Sequence, residues 1–167
     1  LEKSLAIIDG LGLPAGSRAI DVGSGTSTLL DNLLERGFSQ VTANDLSGVA
    51  LDTVRERLGE HAKRAAFIVG DITKVELPAN AYDLWHDRAV FHFLVDPEDR
   101  RAYIQQVLHA LRPDGRIVVA TFGPQGPEQC SGMDVVRYDQ DSLHSAFGTT
   151  AFEKLGHERE QHETPWG

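Results

Sequence analysis

Cysteine is nearly absent from this sequence: Cys130 is the only one in 167 residues. A single thiol excludes an internal disulfide and fits a reducing compartment, so a cytoplasmic location is expected. Long apolar runs are missing as well. No stretch approaches the roughly 18 residues of a membrane-spanning helix, and the first residues carry neither a secretory nor a transit-peptide pattern. No Met opens the sequence, so a trimmed chain is expected. Basic residues are few: 16 Lys and Arg stand against 25 Asp and Glu, a formal net charge of -9. The chain as a whole therefore lacks the basic footprint of a nucleic-acid binder, although a local basic patch is not excluded by composition. His144, His157 and His162 do not cluster with Cys or acids at ligand spacing, and no metal site is expected.

What is present is ordinary globular composition, 41% hydrophobic and 25% charged, in a length suited to one domain over residues 1–167. Helical and strand patterns alternate along it. Leu1, Leu5 and Ile8 share a helix face. Arg18 to Val22 reads as a strand. Leu29, Leu30, Leu33 and Leu34 form a stripe stopped by Gly37. Gln40 to Asn44 is a second strand, and Ser47 caps a helix with Ala50, Leu51, Val54 and Leu58 inward. Ala66 to Val69 and Tyr82 to His86 are further strands. Asp96-Pro97-Glu98 opens a helix with a cap, a first-turn Pro and acids against the dipole. Its stripe is Ile104, Val107, Leu108 and Leu111, while Tyr103, Gln105 and Gln106 read as solvated. Arg116 to Phe122 is nearly all apolar, as a central parallel strand should be. Asp141 to Phe147 is a short helix, and a polar sixth strand is expected within Ala151 to Glu163. The sum is an α/β fold with a doubly wound, mostly parallel sheet of six strands.

In such sheets ligands sit beyond the carboxyl ends of the strands. The first strand runs into Asp21-Val22-Gly23-Ser24-Gly25, where the glycines let the backbone turn tightly and approach a ligand. Taken alone, this is also what a plain strand-to-helix turn looks like. The third glycine of the dinucleotide fingerprint is absent. Asp21 would repel a pyrophosphate, which points towards a sulfonium-bearing amino-acid ligand. Asp45 follows Gly25 by 20 residues, a spacing that suits the two hydroxyls of a ribose, with Leu46 on the adenine face. An acid at a helix start is the alternative. Asp71 can accept from an adenine amino group, with Ile72 as an apolar wall, or be a solvated turn acid. His86, Asp87, Arg88 and His92 crowd the fourth exit beside Trp85, Phe91 and Phe93. Of these, Asp87 is also a candidate for cofactor contact. An ion pair with Asp87 is the plain alternative for Arg88.

These exits together resemble the class I S-adenosylmethionine-dependent methyltransferase family over nearly the whole chain. Its glycine-rich motif matches Asp21 to Gly25, its ribose acid Asp45 and its adenine-contacting acid Asp71. Its later motifs match Tyr82 to Leu94 and Leu111 to Arg116. The resemblance implies a Rossmann-like fold, S-adenosylmethionine as cofactor, S-adenosylhomocysteine as product and methyl transfer as reaction. It also implies a seventh strand, expected to be missing here through truncation, disorder or divergence. Trp85 to Ala89 with Asp96 to Tyr103 is similar to the corresponding stretch of the thiopurine S-methyltransferases, apart from His86. Methyl transfer is a direct displacement, so a base is needed only where the nucleophile arrives protonated. His86, Asp87 and His92 are the candidate bases, and Arg88 a candidate anion-binding group. Cys130 reads as a bystander. The loop Gly123 to Asp134, with Val135 to Tyr138, is expected to shape the acceptor pocket. A small-molecule acceptor is the leading expectation. A protein lysine or terminal amine, a dinucleotide-binding protein and a non-catalytic cofactor sensor are the alternatives.

Overall fold

A computed structural model describes residues 1–160. The helices are α1 (Glu2–Gly10), α2 (Leu29–Glu35), α3 (Gly48–Leu58), α4 (Pro97–Ala110) and α5 (Gln140–Phe147). The main strands are β1 (Arg18–Val22), β2 (Gln40–Asp45), β3 (Ala65–Val69), β4 (Tyr82–Arg88) and β5 (Leu111–Ala120). They form one sheet in the order β3-β2-β1-β4-β5, with every neighbouring pair parallel. The order reverses at β1 and β4, so a crevice opens between the carboxyl ends of these two strands.

Strand alternation sends successive side chains to opposite faces of the sheet, and the two cores follow. Ala19 and Leu84 pack on one face with Leu5 and Ile8 of α1, the leucines of α2 and Leu51, Val54 and Leu58 of α3. Ile20, Val22 and Trp85 pack on the other with Tyr103, Val107 and Ala110 of α4 and Phe147 of α5. The caps read from sequence are in place: Ser47 accepts from the Ala50 amide, and Asp96 from the Glu98 amide ahead of Pro97.

Three expectations are corrected. The sixth strand is absent over residues 151–160, where no strand forms; residues 161–163 lie outside the described part. This stretch carries Glu153, Lys154, Glu158, Arg159 and Glu160 with no apolar alternation to bury, and Phe152 instead packs edge-on to Phe147. Secondly, β5 is an edge strand of the sheet among the described residues, not a central one. It starts early, because Leu111 already pairs with Tyr82 before Arg112 to Gly115 bulge out and pairing resumes at Arg116 with Leu84. Thirdly, Tyr103 is buried, and Gln106 donates to the carbonyls of Ile72 and Val75. Leu108, assigned to the stripe, is instead 47% exposed. The long loop is also not featureless. It carries a two-stranded hairpin, β6 (Gln129–Cys130) and β7 (Met133–Asp134), turned by Ser131 and Gly132 at positive φ.

Candidate functional site

The glycine loop leaves β1 at Val22. Gly23 and Gly25 take φ of 67° and 51°, a region that side-chain-bearing residues enter only at a cost. Gly23 also faces Val90: a Cβ built there would lie 2.1 Å from Val90 Cγ2. Close packing between the loop and the turn after β4 therefore requires this glycine. The loop is fastened to β2. The Ser24 amide donates to the Asn44 carbonyl at 3.0 Å, and the Gly25 amide donates to Asp45 Oδ2 at 2.8 Å. Asp45 Oδ1 accepts from the Ser47 amide at 2.8 Å. Each carboxylate oxygen keeps a lone pair for a further donor.

The register pairs Asp21 with His86 and Val22 with Asp87. By alternation, Asp21, His86 and Arg88 share the α1 face, and Asp87 takes the other. His86 Nδ1 lies 2.7 Å from Asp21 Oδ1 and Nε2 lies 3.1 Å from Ser4 Oγ of α1. All three residues are buried, so both ring nitrogens of His86 are engaged. A cavity of about 110 Å³ opens beside them, lined by Leu1, Ser4, Asp21, Gly23, Ser24, Ser27, His86 and Arg88. Two groups in its wall lack a partner among the described residues. Ser24 Oγ is buried without a hydrogen bond. Arg88 forms no ion pair there with Asp87 or any other acid, and its side chain belongs to the exposed surface.

Asp87 is fully buried on the α4 side. Its oxygens accept from the amides of Val90 at 2.7 Å and Phe91 at 2.9 Å, and from the Tyr103 hydroxyl at 2.6 Å. Burial lifts its carboxyl to about 6 in spite of these donors. Burial and the neighbouring Asp87 hold the Tyr103 hydroxyl well above its usual range, so it stays a donor. That oxygen in turn accepts from Trp85 Nε1 at 2.9 Å. Trp85 thus has a packing role at 0% exposure, and the expected likeness of this stretch to the thiopurine S-methyltransferases is not shown. Tyr103→Phe is expected to cost about 1–3 kcal/mol by orphaning the indole N–H and one Asp87 bond. Urea unfolding measures it, and an unchanged midpoint would mean that the three groups do not act as one network.

The remaining candidates are dispersed. Asp71 Oδ1 accepts from the Thr73 amide and hydroxyl. Burial raises its pKa, but the Thr73 bonds and Lys74 outweigh this and leave it below the ordinary value. Ile72 is buried in the core beneath. Leu46, Val49 and Val69 are exposed at 76%, 78% and 57%, an apolar border to the β2 and β3 exits. The sequence had pointed only to Leu46. His92 sits in a 3-10 turn over Phe91–Phe93, fully buried against Phe93 and Phe122. The turn is reached through Ala89 at φ 79°, a strained position for a residue with a Cβ. Among the described residues no cluster of His, Cys, Asp or Glu is arranged to hold a metal ion, and no helix is long and apolar enough to cross a membrane.

The family model for the "Methyltransferase domain" matches residues 19–115, from β1 to the bulge of β5. The chain is 28% identical over 117 residues to a demethylmenaquinone methyltransferase of Beutenbergia cavernae, covering 70% of this chain and 45% of that protein. It is 26% identical over 101 residues to the eEF1A lysine and N-terminal methyltransferase of Bos taurus, covering 60% of this chain and 14% of that one. The chain thus spans less than half the length of these relatives. The solved S-adenosylmethionine-dependent methyltransferase from Mesorhizobium loti superposes with a TM-score of 0.71 at 20% identity, over 87% of this chain and 78% of that one.

Proposed function

Since this chain belongs to the class I S-adenosylmethionine-dependent methyltransferases, we propose that the crevice between β1 and β4 binds S-adenosylmethionine and that the chain transfers its methyl group to a small-molecule nucleophile. The observation that carries this reading is the cavity wall at the glycine loop, where Ser24 Oγ is buried without a partner and the exposed Arg88 forms no ion pair among the described residues. Asp45, with a free lone pair on each oxygen, stands beside the same loop. When bound, the cofactor supplies a methyl carbon already activated by the sulfonium charge.

Residues of the chain have separate tasks. Asp45 accepts the ribose hydroxyls, and Leu46 and Val69 flank the base. Asp71 and Ile72 mark the adenine end, where Asp71 is the acceptor for the amino group and Ile72 backs the wall from the core. Gly23 and Gly25 bring backbone amides close. Asp21 attracts the ammonium, and His86 fixes the orientation of Asp21 while tying it to Ser4. Arg88 pairs with the cofactor carboxylate. Asp87 holds the turn over 88–93 through two backbone amides and is a positioning residue rather than a base. We take residues 1–167 as one functional domain. A protein acceptor is the second reading, favoured by the net charge of -9, which attracts basic partners.

Calorimetric titration with S-adenosylmethionine, S-adenosylhomocysteine and a nicotinamide dinucleotide tests the cofactor reading. Both adenosyl ligands are expected to bind and the dinucleotide is not. Asp45→Ala is expected to weaken adenosyl binding by about 10- to 150-fold, the worth of hydrogen bonds to a charged acceptor. An unchanged affinity would remove the ribose assignment, and no binding of either adenosyl ligand to the unsubstituted chain would overturn the reading as a whole.

A further inference from the structure

Ser4, His86 and Asp21 stand in an order that a plain wall of the crevice does not require. His86 Nδ1 lies 2.7 Å from Asp21 Oδ1, and Nε2 lies 3.1 Å from Ser4 Oγ. A carboxylate only accepts, so Nδ1 carries the ring proton. In the neutral ring Nε2 is then bare, and the Ser4 hydroxyl donates to it. A hydroxyl, a base that draws on its proton and an acid that orients the base make up an activated nucleophile. Both contacts fall within the roughly 2.6–3.2 Å reach of such a relay. Three separate elements supply it: α1 carries Ser4, β1 carries Asp21 and β4 carries His86.

The relay has open space beside it. All three residues line the cavity at the glycine loop, together with Ser24 and Arg88. Ser4 is the most open of the three at 8% exposure, against 4% for His86 and 3% for Asp21. The nucleophile thus has the readiest access, and the orienting acid the least. At roughly 30 Å³ per water-sized group, a cavity of about 110 Å³ has room for about three or four such groups, the size of an acetyl or propionyl group. The same wall holds two uncommitted donors. The Ser24 hydroxyl is buried without a partner, and Arg88 forms no ion pair among the described residues. Donors already in place beside a nucleophile are what a developing oxyanion needs.

We infer that the chain has a second activity, the hydrolysis of esters of short acyl groups, with Ser4 as the nucleophile. His86 is the general base, Asp21 holds its ring in the required tautomer, and Ser24 and Arg88 face the oxyanion. Ser4 Oγ bonds to the carbonyl carbon as its proton passes to His86 Nε2, and the carbonyl electron pair moves onto oxygen. That pair then returns, the bond to the alkoxy oxygen breaks, and His86 gives its proton to the departing alcohol. The acyl group now sits on Ser4. Water attacks the acyl carbon and yields its proton to His86, the bond to Ser4 Oγ breaks, and Oγ takes the proton back. Ester and water become carboxylic acid and alcohol, with no oxidant or reductant. Under the proposed function the amino-acid end of S-adenosylmethionine takes the same wall, so the two ligands exclude each other. The esterase itself does not rest on the cofactor reading.

The test follows nitrophenolate release from p-nitrophenyl acetate by the full chain and locates the acyl group by peptide mass spectrometry after an acid quench. An acetyl group on Ser4 is expected. A fluorophosphonate, which loses fluoride to an activated serine, is expected to modify Ser4 and no other serine, and to leave the chain unmodified in urea. His86→Gln is expected to slow modification of Ser4 by at least about 100-fold, the lower end of what a positioned base contributes. These readouts on the unsubstituted chain do not depend on how well a variant folds. Absence of any Ser4 adduct, or equal modification of the folded and unfolded chain, overturns the inference. S-adenosylhomocysteine is expected to suppress the modification. If Ser4 reacts undiminished while calorimetry shows that ligand bound, the esterase stands and the placement of the amino-acid end in this wall falls.

Discussion

Asp87→Ala is expected to destabilise the fold by about 2–4 kcal/mol at neutral pH, and by more in acid. The variant leaves the Tyr103 hydroxyl and the amides of Val90 and Phe91 without an acceptor in a site closed to solvent. Orphaned donors of this kind cost about 1–3 kcal/mol each. Part of that is offset, because the variant no longer buries a carboxylate. Burial moves the Asp87 carboxyl from 3.8 to about 6. Between those values the folded chain keeps a proton that the unfolded chain has released. The stability this proton brings is complete in acid and is lost as pH rises through about 6. The Ala variant has no such gain. At about 1.4 kcal/mol per pKa unit, the gap between the two proteins is wider near pH 4 than near pH 7 by about 2–3 kcal/mol. His92 acts in the opposite sense. Burial lowers its pKa below 6.5, so as pH falls through that value the unfolded chain takes up a proton that the folded chain refuses. Both proteins contain His92, and its effect cancels from the gap. Urea melts of the pair across this range measure the result, and a gap that grows with pH would show that Asp87 ionises in the fold without penalty.

The same residue shows where sequence reading stops. Periodicity is local, and it placed β1 to β4 and the helices within a residue or two. The glycine turn and the α4 cap were legible for the same reason, since their spacing is fixed by a few consecutive backbone torsions; Asp45, 20 residues after Gly25, was singled out by the length of one strand–helix–strand unit. His86, Asp87, Arg88 and His92 looked like one cluster because they are close in sequence. A strand divides such a run between two faces, so His86 met Asp21 and Ser4 while Asp87 met Tyr103. The strand ending at Arg88 instead of His86 already carried this information. Tyr103 was legible too, being four and seven residues from Val107 and Ala110 on one helical face, but its polar hydroxyl argued for solvent. Ser4 gave no signal, because its place depends on how α1 docks. β5 was read as central from its apolar content alone, and composition does not reveal how many neighbours a strand has.

Gly23→Ala is expected to destabilise the chain by about 2–5 kcal/mol and to abolish measurable adenosyl binding. Two costs add. At φ 67° an added Cβ meets its own backbone, at about 1–2 kcal/mol. The same Cβ falls 2.1 Å from Val90 Cγ2, an overlap that only backbone movement relieves, since a β-branched side chain has little rotamer freedom. Movement of the loop drags the Ser24 and Gly25 amides off Asn44 and Asp45; movement of Val90 strains the hydrogen bond that its amide donates to Asp87. Gly25→Ala separates the two costs. Gly25 also has positive φ, 51°, but a Cβ there meets nothing within 4 Å, so its loss of stability is expected to be the backbone part alone, about 1–2 kcal/mol. Val90→Ala completes the comparison by removing Cγ2. Combined with Gly23→Ala, it is expected to recover the steric part, so that the double variant is more stable than Gly23→Ala by about 1–3 kcal/mol. Thermal melts of the unsubstituted chain and the four variants, with and without S-adenosylhomocysteine, measure both effects. If the double variant is no more stable than Gly23→Ala, the approach of the glycine loop to the β4 turn does not set the shape of the crevice. If Gly23→Ala retains full ligand stabilisation, the crevice is not where the adenosyl group binds.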